Sequence, residues 1–302
     1  MRHRAFPSAI ALLVTIGLAA PGLAQAQGNG RPKAPRGNSP ATTTPTSPSA
    51  SSSPTTAPEM APTIALATFR QFGAWLDDAS TSAKGEGYTS IGVGHWRMLG
   101  SSQTNMPMLG AGLGVTDRMQ VNASVPFYRA RFEGGSASGM DDVYLGAKYT
   151  LIDPTLTLSE FGLAISPTME LLSSGNPDGR VHFAIPVSAE LRRQPFRVYG
   201  SAGVFTRGSF FSGAALEWSS PRGIALTGSL TQSYSLKTDE VLDSLGIGRH
   251  RMDVSLGVAY PLGALAAAFV NVGRSLSSLE EGGTSLGVSG GLSLRFNPLS
   301  KP

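Results

Sequence analysis

The chain has 302 residues, with 24 Lys+Arg, 20 Asp+Glu, 41% hydrophobic residues and no cysteine, which excludes both a disulfide framework and a lipid-modified cysteine anchor. An isoelectric point of about 9.5 points towards nucleic acid only until the charges are placed. Arg2, Arg4, Arg31, Lys33, Arg36 and Glu59 all precede residue 63, so the remainder carries 19 basic against 19 acidic residues and no basic stripe that could follow phosphates.

Residues 1–26 read as a secretory signal peptide: Arg2 and Arg4, an apolar run from Ala9 to Ala20, then Ala24-Gln25-Ala26 as a small-x-small cleavage site. The run is far short of the ~20 apolar residues a spanning helix needs. Residues 27–62, rich in Pro, Ser and Thr and devoid of aromatics, bury too little apolar surface to offset chain entropy and read as a disordered linker. In the lead-in segment, residues 63–87, the stretch IALATFRQFGAWLDD (Ile64 to Asp78) fits either a short helix plugging the periplasmic mouth or an extended approach to the first strand.

Residues 88–296 are dominated by period-2 alternation, the mark of strands with one apolar face. Met119, Val121, Ala123, Val125 and Phe127 alternate with Arg118, Gln120, Asn122 and Ser124, and Leu109 to Val115 alternates with Gly110, Gly112 and Gly114. The pattern recurs through Val143 to Leu151, Val181 to Leu191, Met252 to Tyr260 and Leu286 to Phe296, for about twelve strands in all. The connections alternate between tight turns such as TDR, RRQP and SSPRG and longer stretches such as RMLGSSQT, YRARFEGGSASG, SSGNPDGR and the loop Leu236 to Arg249. Aromatic residues fall near strand ends, among them Tyr88, Trp96, Phe127, Tyr149, Phe161, Tyr199, Trp218, Tyr234, Tyr260 and Phe296, as interfacial girdles require. A secreted β-sandwich also alternates, but it has no need for strands of uniform length with aromatics at both ends. The expected fold is all-β: a transmembrane antiparallel up-and-down barrel in the outer membrane of a Gram-negative bacterium, followed by a tail at residues 297–302.

If the apolar face meets lipid, the polar face lines a lumen. Candidate lumen-lining residues are Asp142, Lys148, Glu170, Arg180, His182, Glu190, Glu217, Arg251, Asp253 and Arg295, interleaved with small residues that leave room inside. Charges of both signs can pair across such a lumen and hold the barrel's shape. In GMDDVYLGAKYTL, Asp141 is expected at the edge of an external loop and Asp142 at the rim of the lumen, on opposite sides of the strand, with Lys148 deep inside.

Outside the signal peptide only His95, His182 and His250 could serve as a base, and none sits in a nucleophile motif, so no enzyme activity is expected. No His/Asp/Glu spacing suggests a metal, and no cofactor is expected. The expected partners are outer-membrane lipid, a small-molecule permeant and the barrel-assembly machinery, with no nucleic acid.

The segment GLGVTDRMQVNASVPF at Gly112 to Phe127, followed by GMDDVYLGAKYTL, resembles the outer-membrane family labelled "MetA-pathway of phenol degradation". The shared pattern is a Gly-rich strand, a TDR-type hairpin, an alternating strand ending in Pro126-Phe127, and a strand carrying Gly139, Asp142, Gly146, Lys148 and Tyr149. The resemblance implies a transporter-like barrel for small molecules, aromatic or hydrophobic ones among them. Two features depart from the family pattern: NPLSKP follows the terminal aromatic Phe296, and a long Pro/Ser/Thr linker precedes the barrel. The competing functional reading is a closed structural or adhesive barrel that binds partners through external loops.

Overall fold

The computed structural model describes residues 76–153, 160–171, 180–236, 249–279 and 283–296. The stretches read as signal peptide and linker, most of the lead-in, most of the stretches SSGNPDGR and Leu236 to Arg249, and residues 297–302 lie outside the described residues.

Fifteen strand segments follow one another along the chain: β1 (Gly87–Met98), β2 (Ser101–Thr116), β3 (Met119–Phe132), β4 (Gly135–Met140), β5 (Val143–Ile152), β6 (Phe161–Ile165), β7 (Thr168–Leu171), β8 (Val181–Ala184), β9 (Val187–Arg193), β10 (Phe196–Phe205), β11 (Ser209–Ser219), β12 (Ala225–Ser235), β13 (His250–Pro261), β14 (Ala266–Ser275) and β15 (Thr284–Phe296). The pairs β4/β5, β6/β7 and β8/β9 each form one interrupted crossing of the wall, so the barrel has twelve strands. Every pairing is antiparallel, and β15 returns to β1 along Gly87↔Phe296 through Met98↔Thr284, which closes the sheet. Around the closed ring each crossing is paired on both sides, as a sheet in hydrocarbon requires, while β4, towards the rim, pairs with β3. We call the end at Gly87 and Phe296 the base, and the opposite end the rim.

Alternation in sequence becomes alternation in burial. In β1, Tyr88, Ser90, Gly92, Gly94 and Trp96 are buried inside, while Thr89, Ile91, Val93, His95 and Arg97 are exposed outside. The outer face carries large exposed hydrophobics from strand to strand, including Leu109, Val121, Leu145, Leu216, Leu230, Leu256 and Leu292. The inner face buries polar and charged groups instead. An apolar belt on this scale is stable only against lipid.

The three interruptions have a common cause in two of the three cases. Pro167 separates β6 from β7 and Pro186 separates β8 from β9, and proline has no N–H to give the ladder. Each proline still accepts through its carbonyl: Ala147 N–H donates to Pro167 O at 2.9 Å and Ser166 N–H to Pro186 O at 2.8 Å. At the third break, between β4 and β5, Asp141 N–H donates to the carbonyl of Pro126 in β3 at 2.8 Å.

Two long stretches expected to be external loops turn out to be strand. RMLGSSQT extends β1 and β2 to a two-residue link at Leu99-Gly100, and YRARFEGGSASG extends β3 into β4 through Glu133-Gly134. Gly100 (φ 69°) and Gly134 (φ 90°) supply the left-handed backbone these tight links need. Polar composition had suggested loops; beyond the lipid both faces of a hairpin are wet, so the apolar signature is lost while the pairing continues.

Some of the expected girdle aromatics face inwards. Tyr88, Trp96 and Tyr199 are buried in the lumen, whereas Phe127, Tyr149, Phe161, Trp218, Tyr234, Tyr260 and Phe296 point out.

Leu256, 71% exposed at the middle of β13, tests the outer belt. Leu256→Arg should destabilise the barrel in vesicles by ~2–4 kcal/mol, whereas Leu99→Arg, at the rim, should cost under about 1 kcal/mol. Denaturant titration in lipid vesicles measures both, and equal costs would contradict the placement of the belt.

Candidate functional site: the lumen and its inner segment

The chain before β1, from Leu76 to Glu86, runs through the inside of the barrel without helix. Its sequence, LDDASTSAKGE, lacks the apolar repeat of an amphipathic helix, and its short polar side chains bond locally to backbone instead. Asp77 Oδ1 accepts the N–H of Asp78 at 2.9 Å, and Asp78 Oδ1 accepts that of Ser80 at 3.2 Å. Of the stretch Ile64 to Asp78, for which two forms were expected, only Leu76, Asp77 and Asp78 are among the described residues, and these three are not helical.

Side chains from one arc of the wall, on β5, β9 and β10, converge on this segment. Lys148, on β5, places Nζ 2.7 Å from Asp77 Oδ1 and 3.0 Å from Asp78 Oδ1, and donates to Ser80 O at 3.2 Å. Arg197, on β10, reaches Asp78 Oδ2 and Glu190 Oε2 at 2.5 Å each and Ser80 Oγ at 2.9 Å. Arg192 pairs with Glu190 at 2.9 Å and also donates to Ser80 Oγ. The side chains of Lys148, Asp78, Arg197 and Glu190 are only 5%, 7%, 6% and 0% exposed, so this network is screened little by water.

Neutral bonds extend the attachment around the wall. Asp77 N–H donates to Ser201 Oγ at 3.0 Å, Ser82 N–H to Gln120 Oε1 at 2.8 Å, and Thr150 Oγ1 to Ala79 O at 3.1 Å. At the base, Gly85 and Glu86 exchange backbone bonds of 2.8 Å with Gly114 of β2, while Glu86 pairs with Arg295 at 3.3 Å. A Cβ on Gly114 would lie 2.1 Å from the carbonyl oxygen of Ala83, so glycine is what admits the segment there.

The other candidate lumen residues form separate groups. Glu170 accepts from Tyr144 Oη at 2.8 Å and pairs with Arg207 at 3.2 Å, with His182 directly opposite it across β7 and β8. Arg251 bonds Asp253 at 2.7 Å and Thr284 at 3.0 Å, and Ser275 donates to Asp253 at 2.5 Å. Glu217 is buried opposite Arg197 in the β10–β11 register. Arg295 stands half-buried at the base. Arg180 does not join them: it is exposed in the bend before β8, because the strand that would turn it inwards begins at Val181.

Asp141 and Asp142 depart from the expected opposite orientation. The pleat is broken at these residues, so Asp142 is buried while Asp141 Oδ2 accepts from the inward side chains of Asn105 at 2.9 Å and Gln103 at 3.3 Å. Both lie within the wall, since β4 continues the strand beyond them. Among the described residues, no group of three His, Asp or Glu converges to hold a metal ion.

Apolar side chains also face inwards. Trp96, Met108 and Phe269 pack together against Ala259, and Phe205 and Phe211, with ring centroids 5.5 Å apart, pack with Ala184 and Tyr144. Inner glycines of the wall seat two of these rings and that of Tyr88. A Cβ on Gly94 would fall 2.4 Å from the Trp96 ring, one on Gly112 would fall 2.3 Å from Tyr88, and one on Gly203 would fall 2.6 Å from Phe211. The signal that could have found Trp96 is its parity, in step with Gly92 and Gly94 and out of step with Ile91 and Val93. Asp77 and Asp78 carried no such signal, because their partner Lys148 is some 70 residues away.

No protein-family model matches the chain, and no curated protein matches it in sequence. Solved structures do match it in fold. A COG4313 outer membrane channel from Pseudomonas putida F1 superposes with a TM-score of 0.56 at 13% identity, covering 72% of this chain and 98% of that one. The NanC porin superposes with a TM-score of 0.51 at 8% identity, covering 68% of this chain and 98% of that one. At such identities the likeness is one of architecture, and the architecture shared is the closed antiparallel transmembrane barrel.

Proposed function

We propose that this chain is an outer-membrane channel for small molecules, with its base in the periplasm and residues 76–86 as an internal barrier. The observation that carries the reading is the nature of the barrier's attachment. It is held by ion pairs and hydrogen bonds to Lys148, Arg197, Gln120, Thr150 and Ser201 and by little apolar packing. Water can replace such bonds when the segment leaves, so the penalty for opening is set by a few charged contacts rather than by a dismantled core. The membrane location is supported by the outer apolar belt, and transport by the names of the architectural neighbours and by the resemblance carried on Gly112 to Leu151.

The permeant fits the inner wall. Polar groups alternate there with the Trp96/Met108/Phe269 and Phe205/Phe211 patches, a lining that suits compact molecules with both an aromatic or aliphatic body and a polar group. The same inner segment favours one competing reading, a closed structural barrel, since it occupies part of the lumen beside Lys148 and Arg197.

Conductance in planar bilayers separates the two. The unmodified barrel should show small, discrete steps. Lys148→Glu removes an ion pair worth ~3–5 kcal/mol and sets a third carboxylate beside Asp77 and Asp78, so it should raise conductance several-fold. Adding Asp77→Lys should return it towards the original value. Silence from the unmodified protein, from Lys148→Glu and from a deletion of residues 76–83, all with intact heat-modifiable gel mobility, would establish the closed barrel instead.

Uptake into liposomes across phenols, fatty acids and nucleosides tests the permeant class. Phenols should enter faster than nucleosides of similar size, and Trp96→Ser should narrow that difference; equal rates for all three would contradict the apolar contribution of the lining.

A further inference from the structure

We infer that the outer face of the barrel near its rim, on β1, β2 and β3, is a binding surface for the phosphorylated headgroup of the outer-leaflet glycolipid, lipopolysaccharide. The inference rests on the orientation proposed above, which places the rim at the cell exterior.

The strand register assembles the surface. Two rows of outward residues cross neighbouring strands: His95↔Thr104↔Arg129↔Ser138, and Arg97↔Ser102↔Arg131↔Ser136. Arg97, Arg129 and Arg131 are all exposed, and His95 Nδ1 lies 2.8 Å from Thr104 Oγ1 on the same face. Arg274 adds a fourth exposed cation: it follows Gly273, whose partner is Gly287, and the preceding Leu286 pairs with Arg97. Among the described residues none of these arginines has an ion-pair partner; the nearest carboxylates in sequence are Glu133, two residues from Arg131 at the hairpin tip, and Glu280, six residues from Arg274.

Position gives the patch its meaning. On β3 the outward face runs Val121, Ala123, Val125, Phe127 and then turns to Arg129 and Arg131; on β1 Ile91 and Val93 give way to His95 and Arg97. The change falls within one outward step of about 7 Å, which is the passage from acyl chain to headgroup. Charge on an outer face is costly in hydrocarbon but favourable at an interface rich in phosphate, where guanidinium groups bind in bidentate fashion. Arg97 and Arg131, two strands apart, stand about 10 Å from one another, so separate phosphates of one headgroup can be engaged together with the intervening hydroxyls. The Arg207 side chain, elsewhere near the rim, is by contrast already committed to Glu170 and to the Phe205 ring.

The test uses the full barrel in mild detergent and vesicles containing diphosphorylated lipid A, dephosphorylated lipid A, or phosphatidylglycerol. The unmodified protein should bind the diphosphorylated vesicles best. A triple variant, Arg97→Ser, Arg129→Ser and Arg131→Ser, should bind them about 100-fold more weakly. Heat-modifiable gel mobility verifies that the variant barrel is folded, and bilayer conductance, read separately, reports on the channel rather than on this surface. Arg193→Ser with Arg222→Ser, exposed cations at the base, should leave binding unchanged. Equal binding by the triple variant, or an equal loss in the base variant, would overturn the assignment. Equal affinity for phosphatidylglycerol would overturn the glycolipid in favour of general attraction to anionic lipid.

Discussion

A polypeptide in hydrocarbon has no water to satisfy its backbone, and the pairing of β15 with β1 is where this chain meets that constraint. Once the sheet is closed, every outward side chain must suit lipid and every inward one must share a confined lumen. The alternation of Ile91 and Val93 with Gly92 and Gly94 follows from that requirement on a single strand. Even the prolines comply: Pro167 and Pro186 interrupt the N–H ladder, yet each carbonyl accepts a bond from the adjacent strand.

Closure also creates the problem that the inner segment resolves. Lys148 and Arg197 face a space too confined for bulk solvation, and the wall supplies only part of their countercharge, through Glu190 and Glu217. Asp77 and Asp78 supply the remainder. The segment and the wall are thus electrostatically complementary, a relation that holds the segment in place without the apolar interdigitation of a permanent core. Beyond it the lining changes character, with aromatic rings lying over glycines of the wall. Inside and outside therefore divide the work: the outer belt and its cationic margin fix the barrel in its bilayer, and the inner face governs what occupies the lumen.

Much of the wall was legible because a strand facing two solvents imposes period 2 over its whole length. Val143 to Leu151 and Met119 to Phe127 read correctly for that reason. Legibility failed where the two solvents become one. In the hairpins beyond Met98 and Phe127 the outer face turns polar and loses its apolar signature, so strand looked like loop. It failed again where the inner face is apolar, since Trp96 and Tyr199 were taken for girdle residues by type rather than by parity. Asp141 was misplaced for a third reason: alternation predicts orientation only while the pleat is unbroken, and it is broken there.

The sequence by itself determined the class of fold, the approximate number of strands, which residues meet lipid, and the burial of Lys148, because each depends on the local period and the chemistry of one side chain. Only the tertiary structure decided what Lys148 does. Its partners Asp77 and Asp78 come from a segment with no period of its own, brought against it by the curvature of a closed sheet and by the single glycine, Gly114, that lets the backbone pass. Contacts of that kind are made across a lumen rather than along a strand, and no local pattern records them.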